Sequence, residues 1–265
     1  MSVENREPVI SQFKSFVTRI VLNNPERGNV VNNANLELLY KFVKEANENP
    51  DCRVIVIEGK DGVFCRGMDF QNLIKNADNG VKAEWSEPYI RAVMEIRNSS
   101  KPVIAAIDGD VLAGGMGIAL ACDIVIATGR SNFGLSEVIF GIIPAYVFPF
   151  LLERVNFKKS RFMVLSSRKF SAIESKDLGV VDEVCEDELL EKKLKEYLKR
   201  LLSSSPDALA LVKRYSDDIF HMKIEDASRV AQETLTGLLN VKKNIDAIKS
   251  FLEGESLEWV VKYRP

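Results

Sequence analysis

The sequence has little histidine and cysteine, the residues that build metal centres and disulfide frameworks. It contains one histidine, His221, and four cysteines that lie far apart without metal-binding spacing, Cys52, Cys65, Cys122 and Cys185. A site with several histidine ligands is therefore excluded, and we expect no bound metal. Reduced thiols are the simplest state for these cysteines, which favours a cytoplasmic location.

Neither sign of charge dominates, and long apolar runs are missing. The 36 Lys and Arg residues against 38 Asp and Glu residues leave a net charge of −2, which gives no electrostatic case for binding nucleic acid. No apolar run approaches the ~20 residues that span a bilayer. Residues 1–11 are polar, so no secretory signal is expected there. We expect a protein that binds neither nucleic acid nor membrane.

What is present is an alternation of strand-like and helix-like segments. Residues 16–22 alternate between apolar and polar, and residues 33–47 carry apolar side chains near a helical period. Apolar runs at 54–57, 103–107 and 123–127 predict buried strands separated by helices. This order predicts βαβ crossovers, an α/β fold and a mostly parallel sheet.

The second half of the chain is richer in helix. Residues 186–203 present a leucine-rich face opposite Lys and Glu, and Ser203-Ser204-Ser205-Pro206 combines a helix-capping residue with a proline at a helix start. We therefore place a boundary here, with a core over residues 1–202 and a C-terminal helical region over residues 203–265.

Two glycine turns follow predicted strands. The first occupies residues 61–70 after the strand at 54–59, and the second occupies residues 108–117 after residues 102–107. A strand, glycine turn and helix in that order bring free backbone N–H groups to the positive end of a helix dipole. Neither a phosphate-loop motif nor a dinucleotide-binding fingerprint is present. The turns either relieve steric strain alone or hold one carbonyl oxygen between two donors, as an oxyanion hole does.

Together with other motifs, these turns resemble those of the crotonase, or enoyl-CoA hydratase/isomerase, superfamily. The matching segments run in order over nearly the whole chain, at residues 24–31, 64–70, 113–117, 121–127, 133–138 and 248–254. The resemblance implies a spiral core of ββα units whose C-terminal helices pack on a neighbouring subunit in a homotrimer or hexamer. It also implies a thioester carried by CoA or phosphopantetheine, without another cofactor, whose carbonyl is polarised by the N–H groups of Met68 and Gly114.

Glu137 is the candidate acid and base. It precedes an apolar run, and partial burial there would raise the pKa of its carboxyl group toward neutrality. The alternative is a Glu that only starts a helix; the resemblance favours catalysis. Similar hydratases carry a further Glu shortly after the oxyanion-hole glycine, where this chain has Gly117. Ordinary hydration by two glutamates is therefore not expected, and Asp69 is a weaker second candidate.

A narrower resemblance accounts for this departure. Residues 137–152 are bulky where common hydratases are rich in glycine, and this is similar to the dehydratases of polyketide β-branching cassettes. It implies dehydration of a 3-hydroxy-3-methylglutaryl group on an acyl carrier protein to a 3-methylglutaconyl thioester. The alternatives are an enoyl-CoA hydratase or isomerase of general acyl-CoA metabolism, a decarboxylase of the same fold, and a scaffold without activity.

Five further residues are candidates for substrate binding. A distal carboxylate needs a cation, because a buried unpaired charge is costly, and Arg66, Lys82 and Arg91 are the candidates, with Arg66 preferred. Tyr146 is a candidate proton donor or orienting hydroxyl, and Arg27 a candidate for a CoA phosphate. Solvated surface charge, or aromatic packing for Tyr146, is the alternative for each.

Overall fold

Two β-sheets and their covering helices form the fold in the computed structural model, which describes residues 7–69, 74 and 86–264. Within those residues the strands are β1 (Val9–Lys14), β2 (Val17–Leu22), β3 (Val54–Gly59), β4 (Val63–Cys65), β5 (Val103–Ile107), β6 (Asp110–Leu112), β7 (Ile124–Thr128), β8 (Asn132–Gly134), β9 (Lys169–Ser171) and β10 (Glu183–Cys185).

The described helices connect and cover these strands. They are α1 (Asn33–Glu48), α2 (Glu87–Arg97), α3 (Gly114–Leu120), α4 (Phe148–Arg154), α5 (Phe157–Ser166), α6 (Ala172–Leu178), α7 (Leu190–Leu202), α8 (Pro206–Ile219), α9 (Ile224–Leu239) and α10 (Lys242–Leu252). Short 3-10 turns lie at Pro25–Arg27, Glu137–Phe140 and Asp187–Leu189. None of these helices is long and apolar enough to cross a bilayer.

The larger sheet confirms the predicted parallel arrangement. Its strand order is β1-β2-β3-β5-β7-β10, and every neighbouring pair is parallel except β1 with β2. All five residues of β5 are buried because helices cover both faces of the sheet. One face packs on α7 through Leu194, Leu198 and Leu202, whose burial stabilises the fold by about 1.5–3 kcal/mol each.

The smaller sheet places the two predicted glycine turns side by side. Its strand order is β4-β6-β8-β9, with β4, β6 and β8 parallel. Strand β4 leads into residues 66–69, β6 leads into α3, and β8 leads into the 3-10 turn at Glu137–Phe140. Because neighbouring parallel strands end at the same edge, the three connections meet in space.

The C-terminal helices begin where the sequence predicts. The side chain of Ser205 accepts a hydrogen bond from the backbone N–H of Ala208, and Pro206 is the first residue of α8. Helices α8, α9 and α10 contain no buried residue. Large apolar side chains are instead exposed along them, at Val212, Ile224, Leu235, Phe251 and Leu252.

Candidate functional site

A largely apolar cavity of about 310 Å³ lies where the connections after β4, β6 and β8 meet. This volume is at the lower end of the range for small-molecule sites. Its described lining consists of Val31, Asn32, Asn33, Leu36, Met68, Asp69, Ser86, Tyr89, Ala113, Gly114, Glu137, Ile142, Ile143, Pro144, Ala145, Tyr146 and Val147. The structure therefore brings Met68, Gly114, Glu137 and Tyr146 to one cavity.

The first glycine turn approaches the second one closely at Gly67. Its φ of +92° is a conformation that favours glycine, and an added Cβ would lie 2.7 Å from the Cβ of Ala113 and 3.4 Å from the backbone nitrogen of Gly114. Val31 bonds to the backbone on both sides of Met68. The N–H of Val31 donates to Gly67 O, and the N–H of Asp69 donates to Val31 O. Within the described part of the chain, the N–H of Met68 between them has no acceptor.

The second turn contains a strained residue. Ala113 has φ +48° and ψ −121°, although it is not glycine, and its N–H donates to Gly134 O at 2.9 Å. Gly115 leaves no room for a side chain, because an added Cβ would overlap the carbonyl oxygen of Cys65. Gly114 is the first residue of α3, and its N–H has no acceptor among the residues described here.

Glu137 starts the 3-10 turn and faces the cavity. The residue is only 8% exposed, and its buried Oε2 atom has no hydrogen-bond partner in the described structure. Burial raises the pKa of this carboxyl group above its ordinary value, and the backbone N–H groups of Ser136 and Glu137 oppose that rise. A partly desolvated carboxylate of this kind is suited to taking and returning a proton.

Two tyrosines and a serine form one wall of the cavity. The hydroxyl of Ser86 donates to Tyr146 Oη at 2.7 Å, and the rings of Tyr89 and Tyr146 lie 6.4 Å apart. The Tyr89 hydroxyl donates to the carbonyl oxygen of Gly114 at 2.8 Å. Sequence reasoning found Tyr146 but missed Tyr89, which belongs to no motif; the glycine at position 117 was the only signal of a change nearby.

Arg66 and Arg91 are not among the described residues that line the cavity. Arg66 pairs with Asp110 at 3.3 Å, and Arg91 pairs with Glu37. Arg91 stays away from the cavity because it lies outside the buried face of α2, and its side chain points toward α1, where Glu37 lies. The buried face of α2 carries Tyr89, Ala92, Val93 and Ile96.

Two further candidate cations remain. Arg27 is exposed at the end of the turn Pro25–Arg27 and is not part of the cavity lining. Lys82 lies outside the described residues, so its predicted role stays a prediction.

Thiol and imidazole groups do not enter the described site. Burial raises the pKa of Cys65 to about 12, which keeps it a neutral thiol. His221 follows α8 and packs against Phe220, with ring centroids 4.7 Å apart. In the ranges that the structure describes, no three His, Cys, Asp or Glu side chains are grouped as metal ligands would be.

Comparison with known proteins gives matches over nearly the full length. The family model for enoyl-CoA hydratase/isomerase matches residues 12–262. The bacillaene synthase dehydratase PksH of Bacillus subtilis is 28% identical over 261 residues, covering 98% of this chain and 99% of the relative. The mevalonyl-coenzyme A hydratase sidH of Aspergillus fumigatus is 28% identical over 266 residues, covering 98% of each chain. The crystal structure of an enoyl-CoA hydratase/isomerase from Marinobacter aquaeolei has a TM-score of 0.87 at 25% identity, covering 96% of this chain and 99% of that one.

Proposed function

We infer, because this chain belongs to the enoyl-CoA hydratase/isomerase family, that it is a lyase that removes water from a β-hydroxyacyl thioester. The proposed substrate is a 3-hydroxy-3-methylglutaryl group on the phosphopantetheine arm of an acyl carrier protein, and the product is the 3-methylglutaconyl thioester. One observation carries this proposal: the buried, unpartnered Oε2 of Glu137 shares a cavity with the backbone amides of Met68 and Gly114.

In the proposed reaction, two backbone amides stabilise the thioester oxygen, and one carboxylate first takes a proton and then returns it. The N–H groups of Met68 and Gly114 donate to the thioester oxygen, which acidifies the proton on the α-carbon. The Glu137 carboxylate takes that proton, and the electron pair moves onto the thioester as an enolate. The enolate then forms the α,β double bond while the bond to the β-hydroxyl breaks, and the Glu137 carboxylic acid returns the proton to the departing hydroxide, giving water.

Two features favour a dehydratase for branched substrates over a hydratase with two glutamates. Position 117 is glycine, so no second carboxylate stands after the Gly114 turn. Among the relatives, PksH is named a dehydratase, and the Aspergillus protein is named for a mevalonyl thioester, whose β-carbon bears both a hydroxyl and a methyl group. A tertiary hydroxyl leaves more readily than a secondary one, which suits a site with a single proton-transfer group.

Closely related substrates of this site would differ in the group at the distal end of the acyl chain. No Lys or Arg belongs to the described lining of the cavity, and Lys82 is the predicted cation that lies outside the described residues. The experiment compares 3-hydroxy-3-methylglutaryl, mevalonyl and 3-hydroxy-3-methylbutyryl thioesters, each on a carrier protein and on CoA. These substrates share the reacting carbons and differ in the distal group alone.

We expect the glutaryl group on the carrier to have the highest kcat/KM, by about 10-fold or more over the butyryl analogue, since one well-placed charged hydrogen bond contributes that much. The variant Lys82→Met should remove this preference without changing turnover of the butyryl analogue. A butyryl thioester that reacts faster would reject the distal carboxylate. Equal kcat/KM on CoA and carrier would reject the carrier protein as partner.

Hydration or isomerisation of an ordinary enoyl-CoA is the second candidate. The apolar lining from Ile142 to Val147 and the likeness to the Marinobacter enoyl-CoA hydratase/isomerase favour it. The same assay decides, because this candidate predicts that a straight-chain enoyl-CoA reacts with a higher kcat/KM than any of the three branched thioesters.

For the oligomer, we propose a homotrimer, alone or paired into a hexamer, held together by the C-terminal helices. Helices α8, α9 and α10 bury no residue within one chain, while Ile224, Phe251 and Leu252 are each more than 70% exposed. Exposed apolar side chains in such number are typical of surfaces that pack on another subunit.

A further inference from the structure

We propose that Tyr89 is a positioning residue, whose hydroxyl fills the space that a side chain at position 117 would take and holds Gly114 in place. The residue lies on the buried face of α2, and its hydroxyl donates to Gly114 O at 2.8 Å. This role rests on the proposed function, because Gly114 is one of the two amides assigned to the thioester oxygen.

Tyr89 and a side chain at position 117 exclude each other. A Cβ added to Gly117 would overlap Tyr89 Oη, and it would lie 3.2 Å from Tyr89 Cζ and 3.4 Å from Val147 Cγ2. Beside the hydroxyl, on the edge of the same ring, Tyr89 Cε2 would lie 3.4 Å from a Cβ added to Gly114. The ring thus spans the first turn of α3, and no carboxylate can occupy position 117 while Tyr89 stays where it is.

The hydroxyl of Tyr89 supports the site without transferring a proton to substrate. Its single proton is directed to the Gly114 carbonyl oxygen. Burial, together with the nearby Glu137 carboxylate, raises the pKa of the Tyr89 phenol, so it stays neutral. With strained Ala113 on one side and Tyr89 bonded on the other, the backbone at Gly114 is held from both directions, which fixes where its N–H points.

A conjugated thioester reports directly on that N–H. Cinnamoyl-pantetheine absorbs at longer wavelength when two amides polarise its carbonyl, so the red shift on binding measures the alignment of Met68 and Gly114. We expect a red shift with the native protein. The variant Tyr89→Phe should bind the probe within about 3-fold of the native Kd, give less than half of the red shift and lose about 10- to 100-fold in kcat, less than the loss of a whole oxyanion donor.

A matched tyrosine outside the cavity provides the control. Tyr197 on α7 also has a hydroxyl bonded to one partner, Glu183 Oε2 at 3.4 Å, and Tyr197→Phe should leave both the red shift and kcat unchanged. A second variant, Gly117→Ala, reaches the same contact from the helix side by displacing the Tyr89 hydroxyl. It should reduce the red shift as Tyr89→Phe does, and the double variant should be no worse than either single one.

The outcomes separate two failures. A native protein that binds the probe without any red shift would overturn the proposed function, and this role of Tyr89 with it. A native red shift that both Tyr89→Phe and Gly117→Ala retain in full, with unchanged kcat, would overturn the role of Tyr89 and leave the proposed function standing.

Discussion

The cavity region and the C-terminal helices depart from the usual pattern of burial in different ways. Around the cavity, Phe64, Met116 and Ile118 are fully buried, while one carboxylate oxygen of Glu137 is buried without a partner. Along α8 to α10 no residue is buried, and large apolar side chains such as Phe251 and Leu252 are exposed. The cavity region thus leaves a buried polar atom without a hydrogen bond, and the C-terminal helices leave large apolar side chains exposed.

Each unusual pattern of burial indicates what kind of molecule the region would bind. A buried carboxylate oxygen without a hydrogen bond costs stability, and the proposed function explains its retention beside two free amides as chemistry on a bound thioester. Exposed apolar side chains point to a protein surface instead. In the proposed function, each chain supplies its own reacting groups, and the C-terminal helices supply the surface for assembly. Changes in the first region should act on turnover, and changes in the second on oligomeric state.

The largest effect is expected from Glu137→Gln. The amide keeps the size of the side chain and one acceptor oxygen but cannot accept the α-proton, so kcat should fall by about 10³-fold, within the range known for general acid–base groups. Dehydration kinetics measure this loss, and the thermal unfolding midpoint should not fall, because the variant no longer buries an ionisable group. Native-like turnover by a folded Glu137→Gln protein would remove this residue from the mechanism.

The pH profile of the native protein sharpens the same assignment. Burial raises the pKa of Glu137, so the base form is lost at a higher pH than for an ordinary carboxylate of pKa 4.5. We expect kcat/KM to fall as the pH drops through that raised pKa, with the acid limb centred above 4.5. For stability the sign is reversed, since a raised carboxyl pKa makes Glu137 contribute less to folding as the pH rises through it.

A smaller loss of turnover is expected from Gly115→Val. The added side chain would overlap the Cys65 carbonyl and push α3 away from β4, which separates the two glycine turns. We expect kcat to fall by about 10²-fold, comparable to losing one oxyanion donor, together with a lower unfolding midpoint. As control, Gly237→Val on exposed α9 has nothing within 4 Å of the added Cβ and should leave kcat unchanged. Equal kcat for the two variants would show that the contact at Gly115 does not align the site.

The smallest effect on chemistry is expected from the C-terminal helices. Replacing Phe251 and Leu252 together with serine should lower the mass seen by light scattering from that of a trimer or hexamer toward one chain, while kcat changes only a few-fold. Glu253→Ser, beside them, is the polar control and should keep the assembled mass. A native protein that is already monomeric at micromolar concentration would contradict the proposed trimer.

Much of the fold follows from local sequence patterns. The apolar runs at Val54–Gly59 and Val103–Ile107 form parallel strands as predicted, and the period of residues 33–47 gives α1 (Asn33–Glu48). The two glycine turns also meet as expected, because they follow strands whose parallel order the crossovers determine. These features depend on residues close in sequence.

The side chains that depend on distant neighbours were not predictable in the same way. Being near a glycine turn in sequence did not bring Arg66 to the cavity, since Asp110 on another strand holds it elsewhere. Arg91 lies on a face of α2 that does not border the cavity, and it pairs with Glu37. Tyr89 contacts Gly114 across 25 residues of sequence, and only the packing of α2 on α3 shows that its hydroxyl takes the space at Gly117.

Mass spectrometry of the product tests the central claim most directly, namely that two amides and one carboxylate remove water from a β-hydroxyacyl thioester. The protein is incubated with 3-hydroxy-3-methylglutaryl carrier protein, and the intact acyl carrier is weighed. We expect the loss of one water with all carbon atoms retained in the presence of the native protein, and an unchanged mass with Glu137→Gln. Loss of carbon dioxide, or loss of water at the same rate in both proteins, would contradict the account.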